Sequence, residues 1–207
     1  MVAAAGAVAA PSALGAGYCR TPQVADDVPA PGSALAAPFP DLDPLQDVRG
    51  TMALRDMGAG SDGAGVRVAD LEYDWDTDNV EISDRALPGP GGPSPYQAIA
   101  HGTATLSVIG ARADRAGVTG LAPAAALLPR STMTAAGAWD PAGAIRGVTA
   151  ELRAGDVLLL EQQGAVGSWY VPLYAQGDAR GPAVRAAIAD AVARGIVVVV
   201  PAGNGQA

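Results

Sequence analysis

The stretch Pro182-Ala-Val-Arg-Ala-Ala-Ile-Ala-Asp-Ala-Val-Ala-Arg-Gly195-Ile-Val-Val-Val-Val-Pro-Ala-Gly-Asn204 decides the fold. Val184, Ile188 and Val192 recur at i, i+4 and i+8, which predicts a helix from about Pro182 to Arg194, ended by Gly195. Ile196 to Val200 follows as a strand, because successive β-branched valines favour extended backbone. Ala202-Gly203-Asn204-Gly205 then closes it as a loop. An amphipathic helix feeding an unbroken apolar strand is half of a βαβ unit, which requires companion strands elsewhere in the chain.

Working toward the N-terminus, Asp156 to Glu161 reads as a second fully apolar strand with an acidic end. A helix is expected from about Pro141 to Arg153, with Asp140 as N-cap, Pro141 at the first helical position and Ile145, Val148 and Leu152 as its buried stripe. Short strands are expected near Val118 to Leu121 and Ala125 to Pro129, and a helix from His101 to about Arg112 with Leu106, Ile109 and Val108 facing inward. Val66 to Glu72 is one more strand, again acidic at its C-terminal end; residues 73 to 100 read as loop. Apolar strands alternating with helices predict an α/β fold of three layers, a mostly parallel sheet with helices on both faces. Residues 1 to 64, rich in Pro and Ala, read as leader and linker, and 65 to 207 as the folded domain.

Composition excludes several chemistries. The chain has 207 residues, 49% of them hydrophobic, and a net charge of −8, which disfavours a nucleic-acid partner. All thirteen basic residues are Arg, so lysine chemistry is excluded. A single cysteine, Cys19, excludes an internal disulfide and a cysteine zinc site. No apolar run reaches the roughly 18 residues of a membrane span. The uncharged Ala/Gly-rich start, Met1 to Gly17, reads as a weak export-signal core, and export is the expected localisation.

Parallel sheets gather their chemistry at the C-terminal ends of strands. Here those ends carry Asp70 and Glu72, then Glu161, Gln162 and Gln163, then Asn204; His101, the one histidine, starts a helix. A carboxylate that orients an imidazole, an imidazole that takes a proton and an amide that stabilises an oxyanion are parts of acyl-transfer machinery.

Gly65 to Glu72, Ala100-His-Gly-Thr-Ala104, Gly117-Val-Thr-Gly-Leu-Ala-Pro123 and Gly195 to Asn204 resemble, in order, four motifs of the subtilisin-like serine proteases, the subtilases. The resemblance runs from about residue 62 to 207. It implies a peptide or protein substrate, His101 as general base and Asn204 as side-chain oxyanion donor. Gap-free matching of the first motif puts Glu72 at the triad acid, with Asp70, on the same strand face, as the alternative. Gln162, Gln163 and Gly164 fall where the family lines its substrate cleft, although the family's Ser-Leu-Gly signature is absent. The family's Gly-Thr-Ser nucleophile motif lies beyond the Ala-Gly-Asn loop, and none of the eight serines here has that context. The chain is therefore expected to be the first part of a serine endopeptidase domain, inactive by itself. The competing expectation is a degenerate, non-catalytic peptide-binding protein. No cofactor is required; the structural calcium common in the family has no ligand set that maps here. Asp74, Asp76 and Asp78 alternate as in a calcium loop, but Asn79 and Arg85 stand where an EF-hand needs Gly and Glu. Gly58 to Gly63 has dinucleotide-loop spacing but precedes its strand, which argues against a nucleotide site.

Overall fold

A computed structural model of the chain describes residues 60–89, 99–113 and 118–206. Most of the leader expected over residues 1–64 lies outside them. The elements in chain order are β1 (Arg67–Glu72), α1 (Ile99–Gly110), β2 (Ala126–Ser131), α2 (Pro141–Thr149), β3 (Val157–Leu160), β4 (Gln163–Val166), β5 (Trp169–Pro172), a 3₁₀ turn (Leu173–Ala175), α3 (Arg180–Ala193), β6 (Val197–Val199) and β7 (Gly205–Gln206). Four strands form an all-parallel sheet in the order β2-β1-β3-β6. The fold class is α/β, as the alternation of strands and helices predicts.

Side chains leave β1 alternately to two cores. Ala69 and Leu71 join Leu158 and Leu160 of β3, Ile145 and Val148 of α2 and Val184, Ala187 and Ala191 of α3 on one face. Val68 points the other way, to Leu106 of α1, Leu127 and Ile82. Asp140 caps α2 as expected, its Oδ1 accepting from Gly143 N at 2.9 Å.

Four expectations need correction. Residues 118–121 are not a strand: Gly120, Leu121 and Ala122 donate to Ala111 O, Val108 O and Ile109 O at and just past the end of α1. That segment answers carbonyls the helix itself leaves unpaired. Glycine is required at 120, since a Cβ there would lie 2.4 Å from Ala111 N. Val108 is 62% exposed, so the buried side of α1 is carried by Leu106, with Ile109 partly buried. On α3 the buried stripe runs through Val184, Ala187 and Ala191, and Val192 is exposed. Eight residues at about 100° each overshoot two turns by about 80°, which swings position 192 out of the core. The apolar run after Gly195 yields only a three-residue strand at the sheet edge, with Val197 and Val199 exposed.

A second, antiparallel sheet of β4, β5 and β7 adds to the elements expected from the sequence. Its signal is the two-residue turn Gly167-Ser168, with Gly167 at φ 58°, flanked by apolar residues.

Candidate active site

The register of the parallel sheet builds the site. Leu71 of β1 pairs with Leu160 of β3, so the next residues, Glu72 and Glu161, leave the two strand tips side by side. With Leu71 and Leu160 turned into the α2/α3 core, both glutamates face α1. The first turn of α1 holds His101 against them. Its Nδ1 lies 3.1 Å from Glu72 Oε2 and 2.8 Å from Glu161 Oε2. One helical turn on, Thr105 Oγ1 donates to the same Glu161 oxygen at 2.8 Å. Both glutamate side chains are 5% exposed, whereas the imidazole is 48% exposed and reachable from solvent.

The other Glu72 oxygen is held from behind. Oε1 accepts from Tyr73 N at 2.7 Å and from Gln162 Nε2 at 3.3 Å. Gln162 is buried: Nε2 also donates to Thr132 Oγ1, and Oε1 accepts from Trp139 Nε1 at 2.8 Å. Its amide therefore braces Glu72 and does not face a ligand. Of the two candidate acids, Glu72 is the one on the ring. Asp70 is fully buried, and its Oδ2 accepts from Trp75 Nε1 at 2.8 Å. The glycine of His101-Gly102-Thr103 is a packing requirement: a Cβ at 102 would lie 2.6 Å from Trp75 Nε1 and 2.7 Å from Asp74 O.

Gln163 and Gly164 open β4, an edge strand of the small sheet. Gln163 Oε1 accepts from Asn204 N at 2.9 Å, which ties the Ala-Gly-Asn loop to β4. The Asn204 side chain is exposed, with no hydrogen-bond partner among the described residues. Ser107 donates to Thr103 O and Ser131 to Tyr73 O, so neither hydroxyl is free to act as a nucleophile. In the acidic turn, Asp74 and Asp76 accept from the backbone N–H groups of Trp75 and Asp78. The sequence puts Glu161 among the polar strand tips but does not set it on the imidazole. The acidic end of its strand was visible, but a one-dimensional pattern does not say that β3 lies next to β1.

Two carboxylates on one nitrogen change its proton affinity. Hydrogen bonds to Glu161 and then Glu72 push the His101 pKa up to about 11, against the opposing effect of burial. Burial, and then Glu161, hold the Asp70 carboxyl well above the usual carboxylate range. Glu72, His101 and Glu161 also offer one potential metal-ligand atom each, all within 4.8 Å of one another. The 2.8 and 3.1 Å separations are those of an imidazole N–H shared between two carboxylates.

A pH dependence of stability follows. His101 titrates higher folded than unfolded, so its contribution is full below about pH 6.5 and is lost as pH climbs toward 11. Asp70 also binds its proton more tightly when folded, so its contribution likewise falls as pH rises past its ordinary value of 3.8. Glu151, lowered by Arg130, works in the opposite sense below its ordinary 4.5, but it is largely exposed and its effect is small. Melting temperature is expected to fall as pH is raised from 6.5 toward 9. A calorimetric scan series in which it rises over that interval would contradict the proton placement.

No family model matches the chain, and no curated protein matches it. Among solved structures 58 chains match. One of them, the structure of the prenylagaramide maturation protease PagA, aligns at 16% identity with a TM-score of 0.49, over 73% of this chain and 48% of that one. This chain thus spans about half the length of that protease.

Proposed function

We propose that this chain carries the acid–base half of a serine-type endopeptidase site on a subtilase-like fold. His101 is the general base, Glu72 the carboxylate that orients it and Asn204 a donor to the oxyanion. The segment from Gln163 to Gly164 forms part of the cleft for a peptide or protein substrate, while Gln162 braces Glu72 from behind. One observation carries the reading: the chain's single imidazole stands with Nδ1 on a buried strand-tip glutamate, and Nε2 has no partner among the described residues. This is the geometry in which Nε2 takes a proton from an attacking hydroxyl and returns it to the leaving amine. The serine that attacks is assigned outside the described residues. As proposed, the reaction needs no cofactor.

A second reading, a peptide-binding protein without turnover, is favoured by the proton affinity of the ring. An imidazole with a pKa of about 11 is charged at neutral pH and accepts no proton until it has lost one. The two readings part experimentally. The protein expressed from the complete reading frame that encodes this chain is expected to hydrolyse casein and to react with a fluorophosphonate probe, both rates climbing above neutrality. The 207-residue chain alone is expected to do neither. Absence of both activities from the full-frame protein at any pH from about 5 to about 10 would leave the binding reading. Stoichiometric labelling of the 207-residue chain would overturn the assignment of the nucleophile.

A further inference from the structure

Asp70, Glu72 and Glu161 reach one face of the sheet at neighbouring strand positions, where three ionised carboxylates would repel one another. Arginines do not relieve this. Among the described residues their ion pairs are with other acids: Arg67 and Arg153 with Asp156, Arg112 with Asp84, Arg130 with Glu151, Arg180 with Asp178. The imidazole of His101 stands on Glu72 and Glu161. Asp74 and Asp76, in the loop after β1, are turned to backbone N–H groups of their own turn.

Two oxygens of the cluster are buried with no hydrogen-bond partner, Asp70 Oδ1 and Glu161 Oε1. The second oxygen of each is satisfied, Asp70 Oδ2 by the Trp75 indole and Glu161 Oε2 by Thr105 and His101. A buried acceptor without a donor is destabilising, because its lost hydration is not replaced. The Asp70 and Glu161 carboxyls lie within hydrogen-bonding reach of each other, so one proton between the two bare oxygens satisfies both. It belongs on Asp70, which is 0% exposed with no cation on it, whereas Glu161 has the imidazole and a hydroxyl to stabilise its charge.

We infer that Asp70 is a neutral acid whose hydroxyl donates to Glu161 Oε1, and that Glu161, so held, is a second positioning carboxylate for the His101 ring. The assignment deepens the peptidase reading and rests on it for its catalytic meaning, but its test reads the imidazole directly, so either can fail alone. Neutral Asp70 accepts from the Trp75 indole through its carbonyl oxygen and donates to Glu161 through its hydroxyl. Asn has the same donor–acceptor pattern at the same positions.

Because His101 is the only histidine, the imidazole nitrogen resonances of the ¹⁵N-labelled 207-residue chain report one site without ambiguity. Glu161→Gln is expected to lower the imidazole titration midpoint by about one unit or more, a tenfold loss of proton affinity. Asp70→Asn is expected to move it less than about twofold in affinity and to leave the Nδ1–H resonance in place. In the unsubstituted protein, one aspartate carboxyl carbon should keep the chemical shift of a protonated acid at neutral pH, a readout that needs no variant to fold. An Asp70→Asn midpoint that falls as far as that of Glu161→Gln would show an ionised Asp70 and overturn the inference. So would a Glu161→Gln midpoint equal to that of the unsubstituted protein, or the absence of a protonated aspartate. Zinc added to the protein should leave the imidazole resonances unmoved. A saturable shift reversed by a chelator would replace the shared proton with a metal site.

Discussion

On the peptidase reading, replacing His101 by Ala should lower kcat/KM of the full-frame protein on a peptide substrate by a factor on the order of 10⁶, the scale reached when a triad base is removed. The size follows from the role: His101 is the imidazole that stands on the two buried strand-tip glutamates, so its removal takes away the group proposed to accept the hydroxyl proton. Glu72→Gln is expected to cost less, about 10²- to 10⁴-fold, for a reason specific to this site. An amide at 72 loses the charge that stabilises the imidazolium, but Glu161 remains 2.8 Å from Nδ1. The ring keeps one carboxylate and part of its orientation. The double variant Glu72→Gln/Glu161→Gln should fall further than the product of the two single losses if each glutamate substitutes for the other. Strictly multiplicative losses would show that they act independently, and a His101→Ala enzyme with more than about a hundredth of the original rate would end the peptidase reading.

The second large effect concerns stability. Leu158→Ala is expected to cost about 2–5 kcal/mol in urea or thermal unfolding. Leu158 is fully buried on β3, the strand between β1 and β6, and packs in the core that α2 and α3 cover. Neighbours on three elements would have to move together to fill the space, and a closely packed interior resists that. The loss should also reach the site, because β3 carries Glu161 immediately beyond Leu160. A loss below about 1 kcal/mol would mean that this face relaxes freely and that β3 is not the rigid support the site requires.

The local elements were largely legible. Asp140 with Pro141 announced the start of α2, a short apolar run announced β3 and a valine run β6, because caps, apolar runs and β-branching act over a few residues. Misreadings arose where a distant partner decided the outcome. Residues 118–121 have strand-like composition, yet the free carbonyls at the end of α1 claim their N–H groups. The turn at Gly167 is local and lies in the residues themselves, whereas the third strand of its sheet, β7, comes from the distant Ala-Gly-Asn loop.

The amino-acid sequence alone determined the alternation of strands and helices, the acidic strand tips and the single imidazole beside them, because these depend on residue type and short-range spacing. Only the tertiary structure decided between Glu72 and Asp70, brought Glu161 to the ring and turned Gln162 from the cleft to the back of Glu72. Those outcomes depend on which strands are neighbours and in what register. Parallel pairing sets that register across 90 residues of chain, far beyond the reach of any local pattern.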